Sequence, residues 1–148
     1  MAPNNGLLWR LSIAVFLLLL AFCPVKTMDA PDWNVCVVDE ANQPVRGVLV
    51  RESYQNYSAE WQGHEEDQYT DEHGCVHFAP KAAWISPLKR LAVIATSALA
   101  GVHASFGPNA YVIAFHENLS GDDVKGGIEY AWKGAPSHVD STLVLRSH

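Results

Sequence analysis

Basic side chains are scarce in this sequence, and so are apolar runs once the first two dozen residues are past. Ten Lys and Arg stand against sixteen Asp and Glu, for a formal net charge of −6. An acidic surface repels phosphate backbones, and no basic stripe with interleaved aromatics interrupts it, which argues against nucleic-acid binding. The chain has no Gly-x-Ser-x-Gly elbow, no phosphate-cradling glycine loop and no His-Glu-x-x-His segment. The usual signatures of an α/β hydrolase, a nucleotide-binding loop and a zincin are therefore missing. No internal repeat or low-complexity tract is visible, and 148 residues leave room for one ordinary domain.

Cysteine is also sparse, with only Cys23, Cys36 and Cys75. The first belongs to a compositionally separate start: Arg10 supplies a positive charge, Leu11 to Phe22 are almost unbroken apolar, and polar residues resume at Lys26. This is the pattern of an export signal. A run of this length falls short of the roughly 20 apolar residues that span a bilayer, so a cleaved leader is expected over residues 1–30, with the domain at 31–148. An uncleaved anchor is one alternative. Lipidation is another, because Leu20-Ala21-Phe22-Cys23 resembles a bacterial lipobox, with Phe22 where a small residue is wanted. Beyond Ala30 the net charge is about −7, from eight basic and fifteen acidic residues, and no membrane association is expected after processing. The two remaining cysteines are an even count suited to an oxidising compartment, secreted or periplasmic.

What the sequence does contain is period two. Trp33, Val35 and Val37 alternate with Asn34, Cys36 and Val38, which predicts a strand. The turn-forming stretch Asp39 to Pro44 and Gly47 lead to a second strand from Val48 to about Tyr54, and the two are expected to pair as a hairpin. Residues 55–68 are polar and acidic and are expected to form a long loop. Thr70 to Gly74 is a turn, followed by a third strand in which Val76 and Phe78 alternate with Cys75 and His77. Ser86 as cap, Pro87 in the first turn, Gly101 past the last, and Leu88, Leu91, Ala92, Ala95 and Leu99 at helical spacing predict one helix of about 14 residues. The β-branched content of Leu91 to Thr96 supports a strand there as the rival. Val102–Phe106 and Tyr111–Phe115 are expected to form a hairpin about Gly107-Pro108-Asn109, with loop over 116–127 and strands at 128–132 and 142–146. Seven antiparallel strands and one helix make a mainly β sandwich with the helix at an edge or an end.

Val35–Asp39, Gln43–Val50 and Thr70–Phe78 together resemble the carboxypeptidase regulatory-like domain of the prealbumin-like (transthyretin-like) sandwich group. The resemblance covers roughly the first half of the region after the leader and transfers architecture, because its residues are turn formers and core valines. It implies that the first strand pairs with the strand after the Thr-Asp-x-x-Gly turn. Cys36 and Cys75 would then meet on the outer face and form a disulfide. Hydroxyisourate hydrolases share the fold group but carry a histidine where this chain has Cys36 and end in Tyr-Arg-Gly-Ser. Here the end is Leu145-Arg146-Ser147-His148.

Other residues offer candidate sites. Tyr54, Tyr57 and Trp61 could form an aromatic platform for a sugar ring or a protein side chain. His64, Glu65, Glu66, Asp67, Asp71, His73 and His77 include ligand types at no established metal spacing, and no metal or cofactor is expected. His103, Ser105, His138, Asp140 and Ser141 supply the residue types of a nucleophilic triad without its motif. Asn56-Tyr57-Ser58 and Asn118-Leu119-Ser120 match glycosylation acceptors. The expected function is a non-catalytic binding or structural module with an unidentified protein or glycan partner. A carbohydrate-binding module is the first alternative and a small hydrolase the second.

Overall fold

The computed structural model describes residues 5–117, 119–122, 128–129 and 136–147. Among them the chain is mainly β: α1 (Asn5–Phe22), β1 (Val25–Ala30), β2 (Asp32–Val38), β3 (Leu49–Asn56), β4 (His64–Tyr69), β5 (Cys75–Phe78), β6 (Lys81–Ile85), α2 (Pro87–Ala98), β7 (Pro108–His116), β8 (Leu119–Asp122), β9 (Ile128–Glu129), β10 (His138–Val144) and β11 (Arg146–Ser147). The strands form a three-stranded sheet β10-β2-β5, a larger sheet β11-β8-β7-β3-β4 with β9 on β7, and a ribbon β1-β6. β10 runs parallel to β2, and the other named pairs are antiparallel.

The core fills the space between the sheets because the alternation read from the sequence is kept. Trp33, Val35 and Val37 of β2 and Val76 and Phe78 of β5 face Val50 of β3 and Ala110, Val112 and Ala114 of β7, with Leu143 and Leu145 closing one side. The buried indole of Trp33 donates to Ser141 Oγ at 2.9 Å, so the largest core side chain keeps its polar atom satisfied. Cys36 is directly opposite Cys75 in the β2–β5 ladder, on the face away from the valines, and the two are disulfide-bonded with Cα atoms 4.0 Å apart.

Several sequence expectations need correction. β2 and β3 do not form a hairpin, since they belong to different sheets. Residues 39–48 instead cross between the layers, with Asp39 Oδ1 accepting from the Ala41 and Gln43 amides and Thr70 Oγ1 bridging the Val45 carbonyl and Val48 amide. Alternation reports which face a residue occupies and is silent about its partner strand. Residues 55–68 are not a long loop: β3 runs to Asn56, and the acidic stretch His64–Tyr69 pairs with it. That strand is tolerated because Arg51 grips Asp67 through two nitrogens and Glu65 through a third, while Lys81 bonds Glu66.

Val102–Phe106 is not a strand. A 3-10 turn (Gly101–His103) follows α2, and β7 pairs with β3 from Pro108 to Phe115. Gly101, in the left-handed region at φ 60°, turns the chain off the helix, and Gly107 is held at the 57–58 turn by its amide to Ser58 Oγ and its carbonyl to the Tyr57 amide. Part of the 116–127 loop is strand β8, and the last strand starts earlier than expected, at His138. Of the strand expected at 128–132, Ile128–Glu129 is observed and residues 130–132 lie outside the described residues. The strands therefore outnumber the seven expected. Two of them, β1 and β6, fall in the segment read as leader and in the unassigned stretch before Ser86, and they pair with each other. β1 packs on the domain, with Asp29 and Ala30 buried and Asn56 Nδ2 donating to the Met28 carbonyl.

The rival strand at Leu91–Thr96 is ruled out, since these residues lie in α2. Ser86 Oγ accepts from the Lys89 amide and Pro87 opens the first turn, as the capping residues implied. The helix sits with Val93 inward, so the stripe of Leu88, Leu91 and Leu99 points to solvent.

Candidate functional site

A cleft of about 390 Å³ lies where the end of β3 and the following turn meet α2 and the 3-10 turn. Gln55, Tyr57, Glu60 and Trp61 come from the first side, and Thr96, Ser97, His103 and Ser105 from the second. Local chemistry builds each wall. Asn56 closes the turn after β3, its side-chain oxygen accepting from the Ser58 amide and its carbonyl from the Ala59 and Glu60 amides. Glu60 reaches back to the Asn56 amide at 3.1 Å and pairs with His64 at 2.8 Å. Trp61 is 58% exposed, yet its indole N–H donates to Thr96 Oγ1 at 2.9 Å, and Lys89 Nζ stands 6.0 Å from its ring centroid. Ser97 Oγ donates to the Tyr57 carbonyl, which ties α2 to the turn.

The aromatic trio of the sequence divides here. Tyr57 and Trp61 line the cleft together. Tyr54 points to the interior face of β3, where it stacks on His64 with ring centroids 5.3 Å apart, and burial pushes its phenol up. The proposed triad residues divide too. His103 and Ser105 share the cleft with Glu60, but no hydrogen bond joins the three among the described residues. Ser141 lies in the core under Trp33. Gln55, Glu60, Thr96 and Ser97 were not singled out by sequence. Their only sequence signal was nearness to the aromatics and to the helix C-terminus.

His138 and Asp140 belong to a second constellation, on the outer face of β10-β2-β5 beside the disulfide. One carboxylate, Asp32, bonds two imidazoles, with His77 Nε2 at 2.6 Å and His138 Nδ1 at 2.9 Å. His138 Nε2 meets Asp140 Oδ1 at 3.2 Å, and Asn34 Nδ2 donates to the same oxygen. The bonds from His138 and His77 lower Asp32, and the bond to Asp32 raises His138. Period two explains the grouping: Asp32 and Asn34, His77, and His138 and Asp140 all face outward on adjacent strands.

The ligand types at 64–77 are dispersed. Glu65 and Asp67 serve Arg51, Glu66 serves Lys81, Asp71 Oδ1 accepts the His73 and Cys75 amides, and His77 serves Asp32. No cluster able to hold a metal occurs among the described residues. Asn56 is buried with both side-chain atoms engaged, so its sequon is not presented to solvent. Asn118 lies outside the described residues.

No protein family and no curated protein matches this sequence. A solved structure with some likeness is 3-chlorocatechol 1,2-dioxygenase from Rhodococcus opacus 1CP, at 18% identity and a TM-score of 0.47, covering 84% of this chain. The match spans 63% of that enzyme's chain.

Proposed function

We propose that the chain is an exported, non-catalytic module of the carboxypeptidase regulatory-like, prealbumin-like sandwich type, and that it binds a glycan in the cleft between the 57–61 turn and α2. The carrying observation is the convergence of Tyr57 and Trp61 with Gln55, Glu60, Ser97 and Ser105 in one open cleft. A sugar has apolar faces and a rim of hydroxyls. An exposed indole oriented by Thr96 offers the stacking surface, and the amide, carboxylate and hydroxyl groups around it offer partners for the rim. Export is supported by the apolar helix at the start and by the Cys36–Cys75 bridge, which suits a secreted or periplasmic setting. Processing or lipidation at Cys23 would keep β1 in the domain, whereas cleavage near Ala30 would remove it.

Titration with soluble oligosaccharides, followed by tryptophan fluorescence, tests the reading. A saturable change that Trp61→Ala abolishes and Tyr57→Ala weakens at least about tenfold supports it. Silence across a broad oligosaccharide panel, or binding untouched by both substitutions, removes it. A small hydrolase is the second reading, favoured only by the presence of His103, Ser105 and Glu60 in the same cleft. Its test is ester hydrolysis that disappears in Ser105→Ala.

A further inference from the structure

α2 is amphipathic, yet it is mounted with its apolar stripe outward. Val93 is completely buried while Leu91 is 63% and Leu99 87% exposed, and Leu88 lies on the same outward side. Hydrophobic burial ordinarily turns such a stripe toward the core. Here the core side of the helix is occupied by polar ties to the domain: Arg90 to Thr27, Thr96 to Trp61 and Ser97 to the Tyr57 carbonyl.

We propose that the outward face of α2 rests on the anionic lipid surface of a bilayer. Three observations select that occupant. First, α2 begins beside the end of the apolar helix α1: Val25, three residues after Phe22, pairs with Ile85, two residues before Pro87, and α1 and α2 are in contact. While α1 is attached, its exposed leucines adjoin the stripe of α2. Second, the acidity of the chain is unevenly spread. From Ala79 to His116 there is no Asp or Glu; Lys81 is taken by Glu66 and Arg90 by Thr27 on the core side, but Lys89 of α2 falls there unpaired with any carboxylate among the described residues, and Lys26 pairs across the ribbon with Trp84. An anionic headgroup layer would be repelled by the acidic remainder and attracted to this end. Third, a second copy of the chain is a poor fit. A twelve-residue helix rises about 18 Å, and one stripe of it offers on the order of 200 Å², against roughly 800 Å² per partner in a stable dimer. Interfacial helices need no such area, because they sink an apolar face about 5–10 Å into the headgroup region with basic residues alongside. The inference is independent of what the cleft binds.

The test uses the full chain in vesicles containing brominated lipid. A tryptophan reporter is placed at Leu91 (Leu91→Trp) and a control at Tyr69 (Tyr69→Trp), an exposed position at the end of β4 remote from the 57–63 turn. Wild-type signal, including that of Trp9 in α1, is subtracted. In vesicles of phosphatidylglycerol and phosphatidylcholine the Leu91 reporter is expected to lose about half its intensity and the Tyr69 reporter to lose none. In phosphatidylcholine alone, or at high salt, the loss should shrink at least about twofold. Equal quenching of the two reporters overturns the proposal, as does quenching indifferent to anionic lipid. A blue-shifted Leu91 reporter with dimeric mass in lipid-free protein would give the stripe to a second copy and also overturn it.

Discussion

Glu52 is the most exposed to refutation of all the residues in this fold, because it sits where a carboxylate should not. It occupies the inward row of β3 between Val50 and Tyr54, with Val112 opposite on β7 and Glu66 opposite on β4. It is completely buried, and neither carboxylate oxygen has a partner among the described residues. Burial pushes its acid up to about 7, Lys81 draws it partly back, and Glu66 adds to the rise. The consequence for stability has a definite sign. Between the ordinary glutamate value of 4.5 and about 7, the folded protein holds a proton that the unfolded chain has released, so stability falls as pH rises through that window. At about 1.4 kcal/mol per pH unit, the loss amounts to about 3 kcal/mol, most of it reached by about pH 7 and complete only above it. Glu52→Gln keeps the shape and removes the titration. Guanidinium denaturation of wild type and variant at several values from pH 4.5 to 7.5 should show the variant gaining on the wild type by about that amount across the window. Asp29, also buried and raised by burial, contributes a slope of the same sign to both proteins, and the difference between them cancels it. Parallel curves, with the variant offset by a constant at every pH, would refute the argument: Glu52 would then have to be solvated or paired.

Three other outcomes follow from the same geometry. Replacing both Cys36 and Cys75 by alanine opens a closure of 39 residues and should cost about 4 kcal/mol in chemical denaturation; a loss under about 1 kcal/mol would show that the β2–β5 ladder needs no clasp. Gly74→Ala places a Cβ 2.9 Å from both the Val37 carbonyl oxygen and the Val45 amide nitrogen, at φ 75°, and should destabilise by about 2–3 kcal/mol in the same assay, since backbone atoms cannot swing aside. His138 should titrate above 6.5 by NMR, and Asp32→Asn should bring its midpoint down. The stabilisation His138 gains from Asp32 is present below its unfolded value and fades as pH rises through the folded one, so an unmoved midpoint in Asp32→Asn would remove Asp32 as the cause.

The parts of the fold legible in the sequence were those that a face pattern determines. Trp33, Val35, Val37, Val76 and Phe78 reported burial directly, and the disulfide followed from pairing their two strands, a pairing that the family resemblance implied. The helix was legible through Ser86 and Pro87, whose roles are local. What stayed hidden was what only a partner decides. The acidic segment His64–Tyr69 has none of the β-branched character of a strand, and it becomes one because Arg51 and Lys81 approach from other strands. β1 could not be separated from a leader by composition, since its pairing with β6 is made by residues more than fifty positions away. Of the cleft, Tyr57, Trp61, His103 and Ser105 were each named from the sequence, but as two unrelated candidates. Their meeting depended on reading 102–106 as a turn, and its alternation of apolar and polar residues pointed to a strand instead.

α2 is where these observations meet. Its leucines repeat at helical spacing, a stripe that a surface helix ordinarily turns toward the core. The structure spends the opposite side on the domain, so that Thr96 and Ser97 can fix Trp61 and Tyr57 at the cleft. A helix mounted this way orders the cleft with one face while its leucines remain for another surface. The two roles are separable by substitution, since Leu91 and Leu99 are largely exposed. Charged residues there should leave ligand titration at Trp61 unchanged, whereas Thr96→Val, which removes the hydroxyl that accepts from the indole, should weaken it. If Leu91→Glu instead disturbed the cleft as much as Thr96→Val, the outward stripe would be packing against the domain after all, and the separation of the two faces would fail.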